Sequence, residues 1–369
     1  MVLPFMSMYL TSNLRFTLAE AGFVMGFYGA GSIIGAFLGG YLTDKYHYHG
    51  VQLWSLAGSS LFLFILPFLY DFWTLSVAVF IFSSVSDTLR PANSVAISAF
   101  SRPDNRVRSF SLMRLSINLG FAIGPALGGL ILITFGYTWI FIFDGITCLI
   151  AAALILLYLP RKTNDENEGS ESKLSYESAK SPYKDTTYLT FIFLVMIYGA
   201  LFFQLFTSVP VFMKRESGYN ESIVGLFMSL NGLIIALFEM PIIQKLEKKP
   251  NSFNLISHGF LFLSLSFGFL LFNKVSIIFS FLYVILITIS EILAMPFMLN
   301  YAVSRSGKSN QGRYMALYSM AYGMAHIIAP TLSMPFAEQF GFKLLYVVVI
   351  ITSLLAGLWF YQRLKMNRW

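Results

Sequence analysis

Long apolar runs broken by short polar segments recur from one end of the chain to the other. A run of roughly 20 apolar residues is what a helix needs to cross a hydrocarbon core of about 30 Å. On that criterion the pattern predicts spans near 2–14, 20–43, 51–70, 72–99, 108–134, 137–159, 187–212, 221–244, 253–273, 275–301, 313–336 and 342–362. The first of these twelve is the weak one, because Met1 to Leu10 is apolar but Ser12, Asn13 and Arg15 follow at once. Either the chain's natural start lies upstream of Met1 or this helix begins part-way through the membrane, and the expectation is that a turn or two is missing. The absence of a basic leader argues against a signal peptide.

The polar segment from Arg161 to Thr187, rich in Ser, Glu, Lys and Asn, separates six predicted spans from six and reads as a solvated tether. The expected organisation is a first six-helix bundle over residues 1–160, a linker over 161–187 and a second bundle over 188–369. The halves repeat one another. Pro91, Arg108 and Pro125 are spaced 17 and 17 apart, as are Pro296, Arg313 and Pro330, at an offset of 205. At an offset of 201, Glu20 matches Glu221 and Gly31 matches Gly232. Two similar bundles rocking about a site near the midplane is a transporter architecture.

Composition agrees with the membrane reading: 56% of residues are hydrophobic, 12% are charged and mean hydropathy is +0.68. The net charge of +7 does not form one basic face, so nucleic acid is not an expected partner. Of the 25 Lys and Arg residues, Arg15, Lys214, Arg215, Lys274 and Lys343 fall in one set of alternate loops, and Arg90 and Arg114 fall inside helices. The remainder lie in the opposite loops, the linker and the C-terminal segment, which the positive-inside bias assigns to the cytoplasm. The lone cysteine, Cys148, offers no disulfide and no cysteine metal site.

Gly40-Tyr-Leu-Thr-Asp44-Lys45-Tyr46-His47, after the second span, resembles the G-x-x-x-D-R/K-x-G signature of the major facilitator superfamily, with His47 where the pattern has glycine. Gly120-x3-Gly124-Pro125-x2-Gly128-Gly129 in the fifth span is similar to the antiporter signature of the drug:proton branch, with Ser111 at its more distant glycine position. Arg90-Pro91-Ala92 resembles the intramembrane arginine motif, and Glu291-Ile-Leu-x2-Pro296 the tenth-helix motif of multidrug members. The resemblance covers essentially the whole chain. It implies an all-α integral membrane protein of the major facilitator fold, a monomer of about twelve transmembrane helices in two pseudo-symmetric six-helix bundles. It further implies proton-coupled efflux of small amphipathic compounds from a bacterial-type inner membrane, with linker and C-terminus cytoplasmic. A symporter or facilitator for a nutrient or metabolite on the same fold is the alternative.

Physical reasons stand beside these motifs. Gly120, Gly124 and Gly128 recur every four residues, a smooth stripe suited either to simple tight helix packing or to sealing the closed transporter against leak. Pro125 removes a backbone donor and bends its helix. Asp44, at the C-terminal end of its helix, is a good partner for another helix's N-terminus. The expected latch therefore joins Gly40, Asp44 and Lys45 to the start of the eleventh helix near Arg313, closing the cytoplasmic side.

Ionisable residues inside a bilayer are costly, so each is a functional candidate. Asp87 and Arg90, three apart on one helix face, form either a structural pair or a coupling pair. A lone buried carboxylate can take a proton from one side and release it to the other as access alternates, and Glu291, with no basic residue on its own span, is the first choice. Asp87 with Arg90 is the second; Glu239 and Asp144 are either further proton carriers or satisfied structural carboxylates. Asn118, Gln204 and Asn231 are candidates to orient a ligand, or to bond between helices. His326 is read as a packed histidine rather than a relay. His47 and His49 lack the supporting ligands of a metal site; no metal and no cofactor are expected. No nucleophile–base set or phosphate loop appears, so the chain is not read as an enzyme. The expected partners are a small-molecule solute, protons and the lipid bilayer.

Overall fold

The computed structural model describes residues 2–101, 106–160, 182–246, 252–274, 276–305 and 311–365, with the side chains of residues 44, 98, 106–108, 110, 111, 252, 311, 312 and 363–365 outside the description. In chain order the helices are α1 Leu3–Met8, α2 Leu18–Tyr46, α3 Tyr48–Ile65, α4 Phe72–Ser86, α5 Leu89–Phe100, α6 Arg106–Phe135 and α7 Tyr137–Tyr158. The second half holds α8 Thr186–Phe202, α9 Ser208–Arg215, α10 Glu221–Leu246, α11 Ser252–Leu270, α12 Ile277–Arg305, α13 Gln311–Phe340 and α14 Phe342–Lys365. These make twelve passes. The first adds a π-helical turn, Tyr9–Asn13, to α1; α4 and α5 form the fourth; α8 and α9 form the seventh. Among the described residues, ten passes are long and apolar enough to cross a membrane on those criteria alone, and α1 and α13 are not among the ten.

Helix starts are set by side chains that take up the orphan N–H groups of the first turn. Thr17 and Glu20 form a reciprocal capping box on α2, Asp71 accepts from Trp73 and Thr74 at the head of α4, and Asp185 accepts from Tyr188 at the head of α8. Asp185 is also gripped by Arg305 through two hydrogen bonds, 3.0 and 3.1 Å, and by Tyr314 at 3.2 Å. The entry to the second half is thereby tied to α12 and α13.

Contact between the halves runs along α2 with α13, α6 with α10, and α1 with α9. Both long crossings depend on glycine. A side chain at Gly22 would collide with the carbonyl oxygen of Pro330, and one at Gly225 with that of Pro125. Two turns further along, Gly29 meets the backbone of His326, and Gly232 meets that of Phe121. Gly22 and Gly225, like Gly29 and Gly232, are 203 apart, whereas Pro125 and Pro330, like Phe121 and His326, are 205 apart. The repeat is therefore built into the contacts. It also corrects the pairing read from sequence, because Gly232 is the counterpart of Gly29; Gly31 packs against Phe80 and Ser83 of α4 instead.

These crossings close one face. That face carries the α1–α2, α9–α10 and α13–α14 connections, opposite to the linker. There Glu338 of α13 accepts from the Ala19 N–H of α2 at 2.7 Å, Arg215 donates to the Thr11 carbonyl at 3.2 Å, and Tyr137 of α7 donates to Glu221 at 2.9 Å while receiving Lys214 at 3.0 Å. Lys214 and Glu221 are themselves paired. Toward the linker face, side chains added at Gly40, Gly120 or Gly124 would meet nothing within 4 Å, and Arg313 is exposed.

The α2–α3 turn shows what His47 does where the resembled signature has glycine. His47 has φ +71°, a conformation costly for any residue with a Cβ. The imidazole offsets part of the cost by stacking on Tyr48, with ring centroids 4.1 Å apart, and by accepting from the His49 N–H at 3.4 Å. His47→Gly is expected to raise stability by on the order of 1 kcal/mol after the entropic cost of glycine. A lower thermal unfolding midpoint in detergent would show that the imidazole contacts outweigh the backbone strain.

Candidate functional site

The α6–α10 crossing carries a chain of polar side chains into the membrane-spanning region. Arg114 and Asn118 lie four apart on one face of α6, and both reach Glu239 of α10: the guanidinium pairs with one carboxylate oxygen, and the Asn118 amide donates to the other at 3.3 Å. Two turns back along α10, Asn231 donates to Thr288 at 2.9 Å and to Glu291 at 3.3 Å, both on α12. Glu239 and Asn231 are buried, at 6% exposure each. The first half thus supplies a cation and an amide, and the second supplies two carboxylates, an amide and a hydroxyl.

Charge compensation distinguishes the two carboxylates. Glu239 has an arginine and an amide donor. Glu291 has only the Asn231 amide among its described side-chain donors, and the same Asn231 nitrogen is shared with Thr288. Inside a bilayer even a half-buried anion without a paired cation is expensive. Glu291 is consequently the group for which a proton, or a bound cation, supplies the missing compensation. Ser290 beside it turns away, accepting from or donating to Tyr198 at 2.9 Å and donating to the Gly259 carbonyl at 2.7 Å.

A second charged pair sits in the first half. Asp87, at the break between α4 and α5, holds the Nε of Arg90 at 2.8 Å; its side chain is 7% exposed, while that of Arg90 is 71% exposed. The second carboxylate oxygen of Asp87 is buried without a hydrogen-bond partner.

The remaining sequence candidates fall into place as follows. Asp144 accepts the Val2 N–H at 3.0 Å, tying α7 to the start of α1. Gln204 donates to the carbonyls of Ala200 and Ala329 at 3.2 and 3.5 Å and accepts from Ser208 at 2.6 Å, bonding between helices. His326 stacks on Phe203 with centroids 3.6 Å apart. In the antiporter-like motif, Pro125 and Gly129 make the close approach, Gly129 against Glu221 and Ser222 of α10, and Gly128 faces Phe5 and Ile140. Gly120 and Gly124 border open space, so the stripe is not continuous packing in this conformation. Of the expected latch, the Asp44 side chain lies outside the described residues, Lys45 lies over the rings of Tyr46 and Tyr41, and Arg313 is exposed.

Sequence reasoning passed over Arg114, counting it only as an intrahelical cation, and did not connect Asn118 and Asn231 to the carboxylates. The signal for Arg114 was its four-residue spacing from Asn118. Thr288, three before Glu291, carried no signal apart from the same helical face.

Two six-helix halves meeting at paired glycine crossings, with Glu239 compensated across them and Glu291 uncompensated within the second half, are the arrangement of a multi-pass membrane transporter. The profile of the Major Facilitator Superfamily matches residues 1–330, and the chain belongs to that superfamily. It is 24% identical over 367 residues to an uncharacterised MFS-type transporter, YttB, of Bacillus subtilis (strain 168), covering 98% of this chain and 91% of the relative. It is also 24% identical over 404 residues to a Na(+), Li(+), K(+)/H(+) antiporter of Planococcus maritimus, covering 98% and 92%. To the tetracycline resistance protein, class B, of Escherichia coli it is 25% identical over 256 residues, covering 68% and 63%. Among solved structures it shares its fold with a POT family transporter in complex with 5-aminolevulinic acid, at TM-score 0.81, 16% identity and coverage of 98% and 91%.

If the Arg114–Glu239 pair holds the crossing, removing one partner strands a buried charge. Arg114→Ala is expected to cost about 3 kcal/mol, the low end for a buried pair because the guanidinium is 44% exposed. Arg114→Ala/Glu239→Gln is expected to recover more than half of that loss in thermal unfolding, and strictly additive losses would mean that the two residues act independently.

Proposed function

We propose that this chain exports small amphipathic compounds in exchange for protons, with Glu291 as the group that carries the proton. The observation that supports this most directly is the contrast between the two carboxylates: Glu239 is neutralised by Arg114, and Glu291 is left with the Asn231 amide. In a conformation open toward the linker face, Glu291 releases its proton and the cavity takes up solute. Closure of the linker face and opening of the opposite face then return Glu291 to a proton source.

The orientation that goes with this reading places the linker and the C-terminus in the cytoplasm of a bacterial-type inner membrane, the side favoured by the Lys and Arg bias. The chain acts as a monomer, since each polypeptide contains both halves of the rocking unit. The Asp44 and Arg313 latch belongs to the state in which the linker face is closed. The exposed guanidinium of Arg90 and the amide of Asn118 face the transport path, with Asp87 as the secondary proton site. Support from relatives is of two kinds: a tetracycline resistance protein fits removal of a compound from the cell, and a Na(+), Li(+), K(+)/H(+) antiporter fits exchange.

The test uses everted membrane vesicles energised to an acid interior and challenged with a panel of lipophilic cations. Substrate-induced loss of the interior acidity is expected in the native chain and abolished, by at least about tenfold, in Glu291→Gln. A response that needs sodium or potassium in place of an organic solute would assign the site to metal-cation exchange. Proton and solute entering together would replace export by symport.

A further inference from the structure

Asn231 of α10 reaches two oxygens of α12 with one nitrogen. Thr288 and Glu291 are three apart on α12, so they share a face, and Asn231 Nδ2 lies 2.9 Å from the Thr288 hydroxyl and 3.3 Å from the Glu291 carboxyl. Thr288 is fully buried and Asn231 is buried, so water does not compete for the first of these bonds. A threonine hydroxyl owns one hydrogen. Thr288 gives it to the carbonyl of Val284, one turn back along α12, at 2.6 Å.

Toward Asn231 the Thr288 oxygen therefore presents lone pairs. The amide must meet it with its NH2 end, because the carbonyl end would set oxygen against oxygen at 2.9 Å. The NH2 group has two hydrogens, one for Thr288 and one for Glu291. Thr288 thus decides which end of Asn231 is turned to the carboxyl, although no hydrogen bond joins Thr288 to Glu291 among the described residues. The choice matters to a proton. A carboxylate needs a donor, and the NH2 end supplies one. A carboxylic acid has its own hydrogen to place, and the amide carbonyl would receive it. The charged and titratable groups that act on Glu291 from the neighbouring helices are Glu239 of α10, Arg114 of α6, Tyr198 of α8 and Tyr322 of α13. Helix α11 meets this stretch of α12 through Gly259. Thr288 is uncharged, so its substitution leaves all of those groups in place.

We propose that Thr288 is a positioning residue for the proton site: it holds Asn231 with the nitrogen forward, so that an ionised Glu291 meets a donor and gives up its proton readily when access opens. The proposal rests on Glu291 as the proton carrier and adds to that reading the pair of neutral side chains that tune it. Removing the Thr288 hydroxyl frees the amide to turn over and offer its carbonyl to a protonated carboxyl.

The experiment follows the carboxylic-acid C=O band of Glu291 by infrared difference spectroscopy as the reconstituted full chain is titrated, the band being assigned by its loss in Glu291→Gln. Thr288→Val is expected to move the midpoint to higher pH, by about threefold to tenfold in proton affinity, the size of one hydrogen bond between neutral groups. Thr288→Ser, which keeps the hydroxyl, is expected to keep the native midpoint. In an Asn231→Ala background Thr288→Val is expected to add no further shift, because the effect runs through the amide. An unchanged or lowered midpoint in Thr288→Val overturns the proposal, and so does an equal shift in the absence of Asn231. A native chain without a titrating band that Glu291→Gln removes overturns it too. Thr288→Ala carries the same expectation where the valine variant folds poorly. Export is read separately, in the vesicles: substrate-driven proton exchange that is absent while the predicted shifts hold removes export and leaves the role of Thr288 intact.

Discussion

Backbone meeting backbone at two glycine crossings is the contact on which the rest of the structure depends. In a bilayer, burying apolar surface between helices gains little, because lipid is as apolar as leucine, so helices associate through close packing and interhelical hydrogen bonds. Gly22 under Pro330 and Gly225 under Pro125 allow the two halves that approach. Proline has a further effect at these points. It bends its helix, and its presence frees the carbonyl four residues earlier from an intrahelical bond. A pair of crossings related by the internal repeat can serve as the two bearings of a rocking motion, with the Glu338, Arg215 and Tyr137 contacts holding the gate face shut in this conformation.

The electrostatics follow from that geometry. Because α6 and α10 lie so close, Arg114 on one half can neutralise Glu239 on the other, and the amide of Asn231 can extend the network to α12. The ion pair is thus an interdomain contact as well as a local one. Separating α6 from α10 removes the cation from Glu239, and whatever neutralises Glu239 or Glu291 alters the cost of separation. This reciprocal dependence is the physical basis on which a proton could be linked to a change of access.

Much of the fold was legible in the chain. Apolar runs of membrane-spanning length located the passes, because the bilayer imposes that feature on any spanning helix. The weakness of the first pass was legible too, in Ser12, Asn13 and Arg15. Less was legible about the site. Glu291 stood out because nothing on its own span balances it, but Arg114 belongs to Glu239 only through a crossing between distant helices, and helical spacing alone cannot pair residues 125 positions apart. The register of the repeat was also two residues off for Gly232, since Gly29 and Gly31 are equally plausible by composition and only their contacts separate them. The positive φ of His47 shows the reverse case, in which a motif's missing glycine became intelligible once the turn was seen.

The central claim is that the charge state of Glu291 sets how far the linker face is open. Spin labels at Tyr41 on α2 and Met320 on α13, both exposed, report that opening directly in a Cys148→Ser background by electron–electron distance measurement. The account predicts two distance populations whose ratio changes with pH in the otherwise native chain and stays fixed when Glu291→Gln is added. A single distance at every pH, or a pH response that persists unchanged in Glu291→Gln, would contradict it.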